Sequence, residues 1–293
     1  MDPFSILHNK NLNTKSITQE AFDVTKMNAF EELELSNYNS FIFGNSKCNG
    51  FTSFAWKQKL LPMDSILNLS SPGENITHIH NKIKYLVAIN SNLKNVLIVL
   101  DDNIFRNYKE DFLIGPVYMH HSISTNSSKL KNIKKGFQYF LDDLYYIKYF
   151  RKVLNINNPS LDFIKLNGSN KTIRYNSTLK IISKKKLNTE VTFSDSIPQF
   201  NYSYQLSDSI KLVEIKETFN KMGTNYKIII GPYSNNTHFS YNLRNLCSQV
   251  FGKDNFYDFS GSRKYKWKVK YWNDRSHFKV MVGDQILSEI YNK

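Results

Sequence analysis

Short apolar runs alternate with helix-periodic segments between residues 40 and 100. A parallel strand that is buried on both faces reads as an uninterrupted apolar run. Two such runs, Phe41–Phe43 and Val96–Leu100, predict strands, and Ser65–Leu69 predicts a second short strand between them. The segments between them show helical spacing, over Phe51–Leu61 and from just after Gly73. Strands and helices in this order predict an α/β protein with a doubly wound parallel sheet and right-handed crossovers.

The same alternation returns after residue 205 and completes the predicted sheet. The predicted elements are a helix over Ser209–Met222, a strand over Tyr226–Ile230, a helix over Phe239–Phe251, a strand over Phe256–Phe259 and a last helix over Val280–Ile290. Five strands with helices between them predict a flavodoxin-like parallel sheet. We expect the first strand to be central in it, and ligands to bind at the carboxyl ends of the strands.

The alternation divides the chain into three regions. Residues 1–38 are polar and weakly periodic, and we interpret them as an N-terminal arm with one short helix near Gln19 to Leu35. Residues 39–104 and 206–293 form the predicted α/β domain. Residues 105–205 break the pattern after the third strand. We interpret them as an insertion or cap over the carboxyl edge of the sheet, because long loops there usually carry binding.

The charge of the chain is strongly positive but evenly spread. The formal net charge is +14 over 293 residues, which suits nucleic acid, an anionic membrane surface or an acidic glycan. The lysines are scattered along the chain, so a solvated basic face is the simpler interpretation. No run approaches the roughly 18 consecutive apolar residues of a membrane span, and Met1-Asp2-Pro3-Phe4 does not resemble a signal peptide. We therefore expect no membrane span in this chain.

The histidines and cysteines do not predict a metal site. Cys48 and Cys247 lie far apart and lack the CxxC spacing of a metal site. His78 and His80 are two positions apart on a predicted helix and face different directions, and the adjacent His120 and His121 have the same problem on a strand. Neither common glycine-rich phosphate loop occurs in the sequence. We therefore expect no metal and no cofactor.

A glycine turn with a serine follows the first predicted strand. The apolar run stops at Gly44-Asn45-Ser46, and the glycine permits a tight turn that presents the next side chains at the carboxyl end of the strand. Ser46 therefore lies where a nucleophile is useful. A serine in this position is more often a turn residue or a helix cap, so it needs a partner base before it indicates catalysis.

A matching base occurs near the other end of the chain, before the last predicted helix. Asp274 and His277 are three residues apart, so the carboxylate can hold the imidazole in the tautomer whose free nitrogen faces the serine. Each residue alone is more often a helix cap or a core residue. The loop that carries them should reach the crevice at Ser46, and the three residues together predict a Ser-His-Asp triad.

At these residues the chain resembles the SGNH, or GDSL-like, hydrolases. That family has a Gly-Asp-Ser block after the first strand and an Asp-x-x-His block before the last helix. Gly44-Asn45-Ser46 resembles the first block, with Asn45 in place of the usual Asp, and Asp274-Arg275-Ser276-His277 matches the last. Gly73 fits the family's glycine after the second strand. Asn103 is the candidate for the asparagine after the third strand, although its surroundings depart from the family's Gly-x-Asn-Asp block.

The resemblance implies acyl transfer through an acyl-serine. Ser46 is the implied nucleophile, His277 the general base and Asp274 its partner. The backbone N–H groups of Ser46 and Gly73, with Asn103, are the implied oxyanion hole. Water as the acceptor gives an esterase, and a sugar hydroxyl gives an O-acyltransferase, for example of acetyl groups. The sequence leaves both open.

A closer resemblance concerns the substrate. Phe43–Cys48 and Ser71–Glu74 are similar to segments of bacterial SGNH-like proteins that are linked to cell-surface glycans. This implies an acylated carbohydrate or polysaccharide as partner, with an acyl donor if the protein is a transferase. Asp2-Pro3-Phe4 resembles a sequence that follows a membrane anchor in such proteins, so the compartment stays open between bacterial cytoplasm and cell envelope. Three aromatic residues suit either stacking on sugar rings or plain packing: Tyr233, Trp267 and Trp272.

A non-catalytic binding module is the alternative. An SGNH-like fold with an altered asparagine block and a large basic insertion would hold an anionic glycan or nucleic acid without turnover. Binding driven by nucleic-acid phosphates falls steeply with ionic strength, so salt would separate these partners. We expect a glycan rather than nucleic acid.

Overall fold

A computed structural model describes residues 38–71, 73–105, 204–234, 238–265, 270–274 and 276–292. The predicted arm, and the predicted insertion with His120 and His121, lie outside the described residues apart from their edges. Trp267 also lies outside them.

In the described part of the chain, five parallel strands form one sheet. They are β1 (Ser40–Gly44), β2 (Ile66–Asn68), β3 (Asn95–Leu100), β4 (Asn225–Ile230) and β5 (Phe256–Asp258). The order across the sheet is β2-β1-β3-β4-β5, which is the order of a flavodoxin-like fold. The predicted α/β class with a five-stranded parallel sheet is therefore confirmed.

The central position belongs to β3 and not to β1. The prediction that the first strand is central is therefore wrong, because β1 pairs with β2 on one side and β3 on the other and is second from the edge. All six residues of β3 are buried, which agrees with its uninterrupted apolar run. β1 is still an interior strand, so its carboxyl end opens between two neighbours.

Five α-helices accompany the sheet in the described ranges. They are α1 (Ser53–Lys57), α2 (Ile76–Ala88), α3 (Leu206–Met222), α4 (Tyr241–Phe251) and α5 (Val280–Tyr291). The stripe predicted for α2 is confirmed, because Ile76, Ile79, Ile83 and Leu86 are all buried. Among the described helices, none has the length and apolar character that a membrane crossing requires.

The first predicted helix is shorter than its sequence spacing indicates. Ser46–Gly50 forms a short 3-10 helix, here called the Ser46 turn, and α1 covers only Ser53–Lys57. The hydroxyl of Thr52 accepts a hydrogen bond from the backbone N–H of Ala55 and caps the start of α1. Because of this cap, α1 begins as a separate helix after the Ser46 turn.

The helix α5 covers one face of the sheet and joins the two ends of the domain. Its buried residues Val282, Ile286, Leu287 and Ile290 belong to one apolar cluster with Trp56. A fully buried side chain of this kind contributes roughly 1.5–3 kcal/mol to stability. The C-terminal segment is therefore held against residues that follow the first strand.

Candidate active site

The carboxyl edge of the sheet brings three chain segments together. The Ser46 turn follows β1, Asp101 and Asp102 follow β3, and Gly231 follows β4. Parallel strands place these ends side by side, since β1 pairs with β3 and β3 with β4. Residues that are far apart in sequence therefore share one edge.

Gly44 is required at the end of β1. Its φ of +140° is a backbone conformation that residues with a side chain rarely adopt. A β-carbon there would also overlap the carbonyl oxygen of Val99 on β3. The next residue, Asn45, caps the Ser46 turn, because its Oδ1 accepts a hydrogen bond from the backbone N–H of Lys47 at 3.0 Å. Ser46 is thus the first residue of a short capped helix and is half-buried.

Ser46, His277 and Asp274 form one hydrogen-bonded series. The Oγ of Ser46 lies 2.9 Å from Nε2 of His277. The other ring nitrogen, Nδ1, lies 2.8 Å from Oδ2 and 3.0 Å from Oδ1 of Asp274. With the ring proton on Nδ1, His277 donates to the carboxylate and accepts from the serine hydroxyl. The structure therefore brings the three residues of the predicted triad into direct contact.

Asp274 shapes the loop as well as contacting the imidazole. Its Oδ1 accepts hydrogen bonds from the backbone N–H groups of Ser276 at 2.7 Å and His277 at 2.9 Å. It does not cap α5, whose N-cap position is Lys279. Burial acts to raise the pKa of Asp274, but the hydrogen bonds from His277 and Ser276 outweigh it, and the pKa lies below its usual value. The carboxylate is therefore ionised at neutral pH.

The loop that carries His277 is closed by a short antiparallel contact between Trp272 and Phe278. The backbone N–H of Asn273 donates to the carbonyl of His277 at 2.8 Å. Phe278 and Trp272 are both 2% exposed, and their rings meet edge to face with centroids 6.0 Å apart. The two residues next to this tight loop are thus anchored in the core, which restricts the position of His277.

The ring of Phe278 packs closely against two glycines, one of which belongs to the Ser46 turn. Its ring packs edge to face on Phe51, with centroids 5.6 Å apart. A β-carbon on Gly50, which ends the Ser46 turn, or on Gly231, which follows β4, would overlap the same ring. The residue after His277 therefore fits only because both positions are glycine.

A buried polar network lies beside the Ser46 turn, and the sequence interpretation did not include it. Oδ1 of Asp101 accepts from Nδ2 of Asn45 at 2.8 Å, and Nζ of Lys47 lies 3.4 Å from Oδ2 of Asp101. Nζ of Lys47 also lies 4.0 Å from the ring centroid of Tyr233. The sequence signal was the position of Asp101, directly after a buried strand at the edge predicted to bind ligands.

The predicted oxyanion donors belong to loops at this edge. Gly73 follows β2 with a φ of +66°, and the backbone N–H of Ser71 in the same loop donates to the carbonyl of Gly44 at 3.0 Å. Asn103 follows β3, is exposed, and donates from Nδ2 to Oδ2 of Asp101 at 3.3 Å. The contribution of Gly73 and Asn103 to an oxyanion hole stays a prediction.

A buried ion pair supports the loop of Gly73. Nζ of Lys82 lies 2.8 Å from Oε1 of Glu74 and also donates to the carbonyl of Leu69 at 2.9 Å. Both charged side chains are almost fully buried, at 1% and 0% exposure. The backbone N–H of Ser71 donates to Oε2 of Glu74 at 3.1 Å. These contacts tie the loop after β2 to α2.

The two described residues of the three aromatic candidates, Tyr233 and Trp272, both make contacts within the protein. Trp272 is buried, and its Nε1 donates to the carbonyl of Tyr265 at 3.0 Å, so plain packing is the correct one of the two interpretations for this residue. The hydroxyl of Tyr233 donates to Oδ2 of Asp102 at 2.8 Å. Burial and the carboxylates of Asp101 and Asp102 raise the pKa of Tyr233 well above its usual value. Its role in the structure is to join the loops after β3 and β4.

The described residues contain no cluster of three or more His, Cys, Asp or Glu side chains that could hold a metal ion. His80 of α2 lies instead against Glu214 of α3, with Nε2 2.6 Å from Oε2. Cys48 and Cys247 are both buried.

A scan of the sequence against models of known protein families and a search of curated proteins both return no match.

Proposed function

We propose that the protein is a serine-dependent acyl-transfer enzyme of the SGNH type, either an esterase or an O-acyltransferase that moves an acetyl group. The hydrogen-bonded series from Ser46 through His277 to Asp274 carries the proposal. A nucleophile, a base and a group that orients the base are in reach of one another, which is the arrangement that covalent acyl transfer needs. The resemblance of the blocks at Ser46 and His277 to those of SGNH hydrolases supports the same chemistry.

The first half of the reaction follows from these contacts. Oγ of Ser46 attacks the ester carbonyl carbon while Nε2 of His277 takes the hydroxyl proton. The ionised Asp274 stabilises the imidazolium through Nδ1. The tetrahedral oxyanion is bound by the backbone N–H groups of Ser46 and Gly73, with Asn103 as a third donor. When the intermediate collapses, His277 returns the proton to the leaving alcohol oxygen, and Ser46 carries the acyl group.

The second half releases the acyl group to an acceptor. His277 takes a proton from water or from a sugar hydroxyl, and the acceptor oxygen attacks the acyl-serine carbonyl. Collapse returns the proton to Oγ of Ser46 and gives a free acid or a new ester. The same three residues serve both acceptors, so the acceptor alone separates the esterase from the O-acyltransferase.

A carbohydrate or cell-surface polysaccharide is the proposed substrate class. The segments Phe43–Cys48 and Ser71–Glu74 support this through their similarity to glycan-linked bacterial proteins. The net charge of +14 suits a polysaccharide that carries negative charge. An acyl donor is a further partner if the protein is a transferase.

Labelling with a fluorophosphonate, followed by mass spectrometry of the labelled peptide, tests the proposal. We expect one strongly labelled residue, Ser46, in the folded protein and none after denaturation, because reactivity depends on His277. The Ser46→Ala variant should lose the label and the turnover of a small aryl acetate. An unlabelled Ser46 in folded protein would favour the non-catalytic module that binds an anionic glycan.

Incubation with an acetylated polysaccharide, with and without added free sugar, separates the two activities. An esterase releases acetate at the same rate in both conditions. A transferase forms an acetylated sugar and releases little acetate. Ser46→Ala is the control for both readouts.

A further inference from the structure

Asp101 is a buried carboxylate at the carboxyl end of β3 that accepts hydrogen bonds from several segments. It is 1% exposed. Its Oδ1 accepts from Nδ2 of Asn45 at 2.8 Å, from the backbone N–H of Asn103 at 3.0 Å and from that of Ile104 at 3.2 Å. Its Oδ2 lies 3.4 Å from Nζ of Lys47 and 3.3 Å from Nδ2 of Asn103. A charge buried this deeply requires such partners.

The partners of Asp101 include both sequence neighbours of Ser46. Asn45 precedes the serine and caps its turn, and Lys47 follows the serine and is itself only 6% exposed. A third partner, Asn103, is the candidate oxyanion donor. One carboxylate therefore contacts the segment that carries the proposed nucleophile and the segment that carries a proposed oxyanion donor.

The geometry of acyl transfer is sensitive to such contacts. A nucleophile and oxyanion donors must be held within about 0.5 Å of the productive arrangement, and a misplacement of about 1 Å costs on the order of 10²-fold in rate. Hydrogen bonds to a carboxylate are shorter and stronger than those between neutral groups, so Asp101 holds its partners more firmly than a neutral residue would.

We propose that Asp101 is a positioning residue for the acyl transfer: it fixes the Ser46 turn relative to Asn103 and so sets the angle at which the serine meets the ester carbonyl. This inference rests on the proposed function. Asp101 acts through its neighbours and touches neither the substrate nor the triad in the reaction. Its loss should therefore lower kcat and leave KM nearly unchanged.

Asp64 offers a matched control at the opposite edge of the same sheet. It is also 1% exposed and also pairs with a lysine, since its Oδ1 lies 2.7 Å from Nζ of Lys94. It further accepts from Nδ2 of Asn39 and from Nδ2 of Asn95, which begins β3. Asp64 therefore has a structural role comparable to that of Asp101, but at the amino ends of the strands and away from Ser46.

The test compares Asp101→Asn with Asp64→Asn. Each substitution keeps the size of the side chain and one oxygen acceptor and removes the charge. The readouts are kcat and KM on a small aryl acetate, the rate constant for fluorophosphonate labelling of Ser46, and the unfolding midpoint. For Asp101→Asn we expect kcat and the labelling rate to fall by roughly 10–100-fold at nearly constant KM. For Asp64→Asn we expect a comparable loss of stability, with both rates within about two-fold of wild type.

Two results would overturn the inference, and a third would overturn the proposed function as well. Equal losses of kcat in the two variants would reduce Asp101 to a structural residue and overturn the inference, as would wild-type rates in Asp101→Asn. A wild-type protein that is not labelled at Ser46 would remove the proposed function and this inference together. If Asp101→Asn does not fold, Asn45→Ala keeps Asp101 and removes the 2.8 Å bond to it, together with the 3.0 Å cap on the backbone N–H of Lys47. The same loss of kcat is then expected, and unchanged rates would again overturn the inference.

Discussion

Gly283 of α5 lies directly against Gly50, the last residue of the Ser46 turn, so closely that a β-carbon on Gly283 would overlap the carbonyl oxygen of Gly50. The helix that follows His277 thereby rests on the backbone that follows Ser46. Ser46 and His277 are 231 residues apart in sequence. This contact and the ring of Phe278 hold the two segments that carry them together.

The substitution Gly283→Ala should push α5 away from the Ser46 turn. An alanine is a better helix former than glycine by roughly 1 kcal/mol, but the atom it would displace belongs to the backbone and cannot yield cheaply. We expect a net loss of roughly 1–3 kcal/mol in the free energy of unfolding, together with a loss of Ser46 labelling. Chemical denaturation and fluorophosphonate labelling measure the two effects. The control is Gln285→Ala on the exposed face of α5, which should change neither. A gain of stability in Gly283→Ala would show that the contact is not tight.

Substitutions in the triad should fall into two classes. Ser46→Ala and His277→Ala should reduce kcat equally, by roughly 10⁴-fold or more, because the two groups act as one unit. Asp274→Asn should leave measurable turnover, since the nucleophile and the base remain. Steady-state kinetics on an aryl acetate checks the order. Mild and equal losses in all three variants would contradict a triad.

The lowered pKa of Asp274 predicts a specific pH dependence of stability. Because the folded protein prefers the carboxylate, the contribution of Asp274 is complete above its ordinary pKa near 3.8 and is lost as the pH falls through the lower folded pKa. The stability difference between wild type and Asp274→Asn should therefore shrink as the pH falls from about 5 to below about 4. Urea denaturation across this range measures it. A difference that stays constant to pH 3 would show that the contacts of Asp274 do not favour its ionised form.

Asn45 should not tolerate the aspartate that SGNH hydrolases carry next to the nucleophile. In Asn45→Asp, a second carboxylate would face Asp101 at the 2.8 Å contact in a buried environment. We expect a loss of roughly 3 kcal/mol in stability, measured by thermal or chemical unfolding. The double variant Asn45→Asp with Asp101→Asn restores one amide and one carboxylate in exchanged positions. It should recover at least half of the loss, and a double variant no more stable than the single one would contradict this account.

The ion pair of Lys82 and Glu74 should be far more sensitive than a pair on the surface. Lys82→Met leaves a buried carboxylate without its charge partner beneath the loop of Gly73, and we expect it to cost roughly 3–5 kcal/mol. The control is Lys264→Met, which removes an ion pair to Glu289 whose side chains are 57% and 44% exposed. That loss should be at most about 1 kcal/mol. Chemical denaturation compares the two, and similar small losses in both would argue against a role for the buried pair.

The sequence by itself determined the strands and the residues that meet at the site. A buried parallel strand needs an apolar run, so β1, β3 and β4 were visible as such runs, and the carboxyl edge followed from their direction. Ser46, Asp274 and His277 were found because the contact between Asp274 and His277 is local and because Ser46 follows a strand end. Local patterns of this kind depend on residues that are neighbours in the chain.

Only the tertiary structure decided how these parts are held together. Packing across the sheet sets the close approach of Gly283 to Gly50 and the burial of Trp272. It also sets the contacts of Asp101 with Asn45 and Lys47. The start of the first helix at Ser53 also depends on a cap at Thr52 that helical spacing alone does not indicate. The spacing of residues in the sequence does not encode whether Trp272 faces a ligand or the core. Nor does it encode that the Asp101 carboxylate contacts five donor groups, because packing sets these distances.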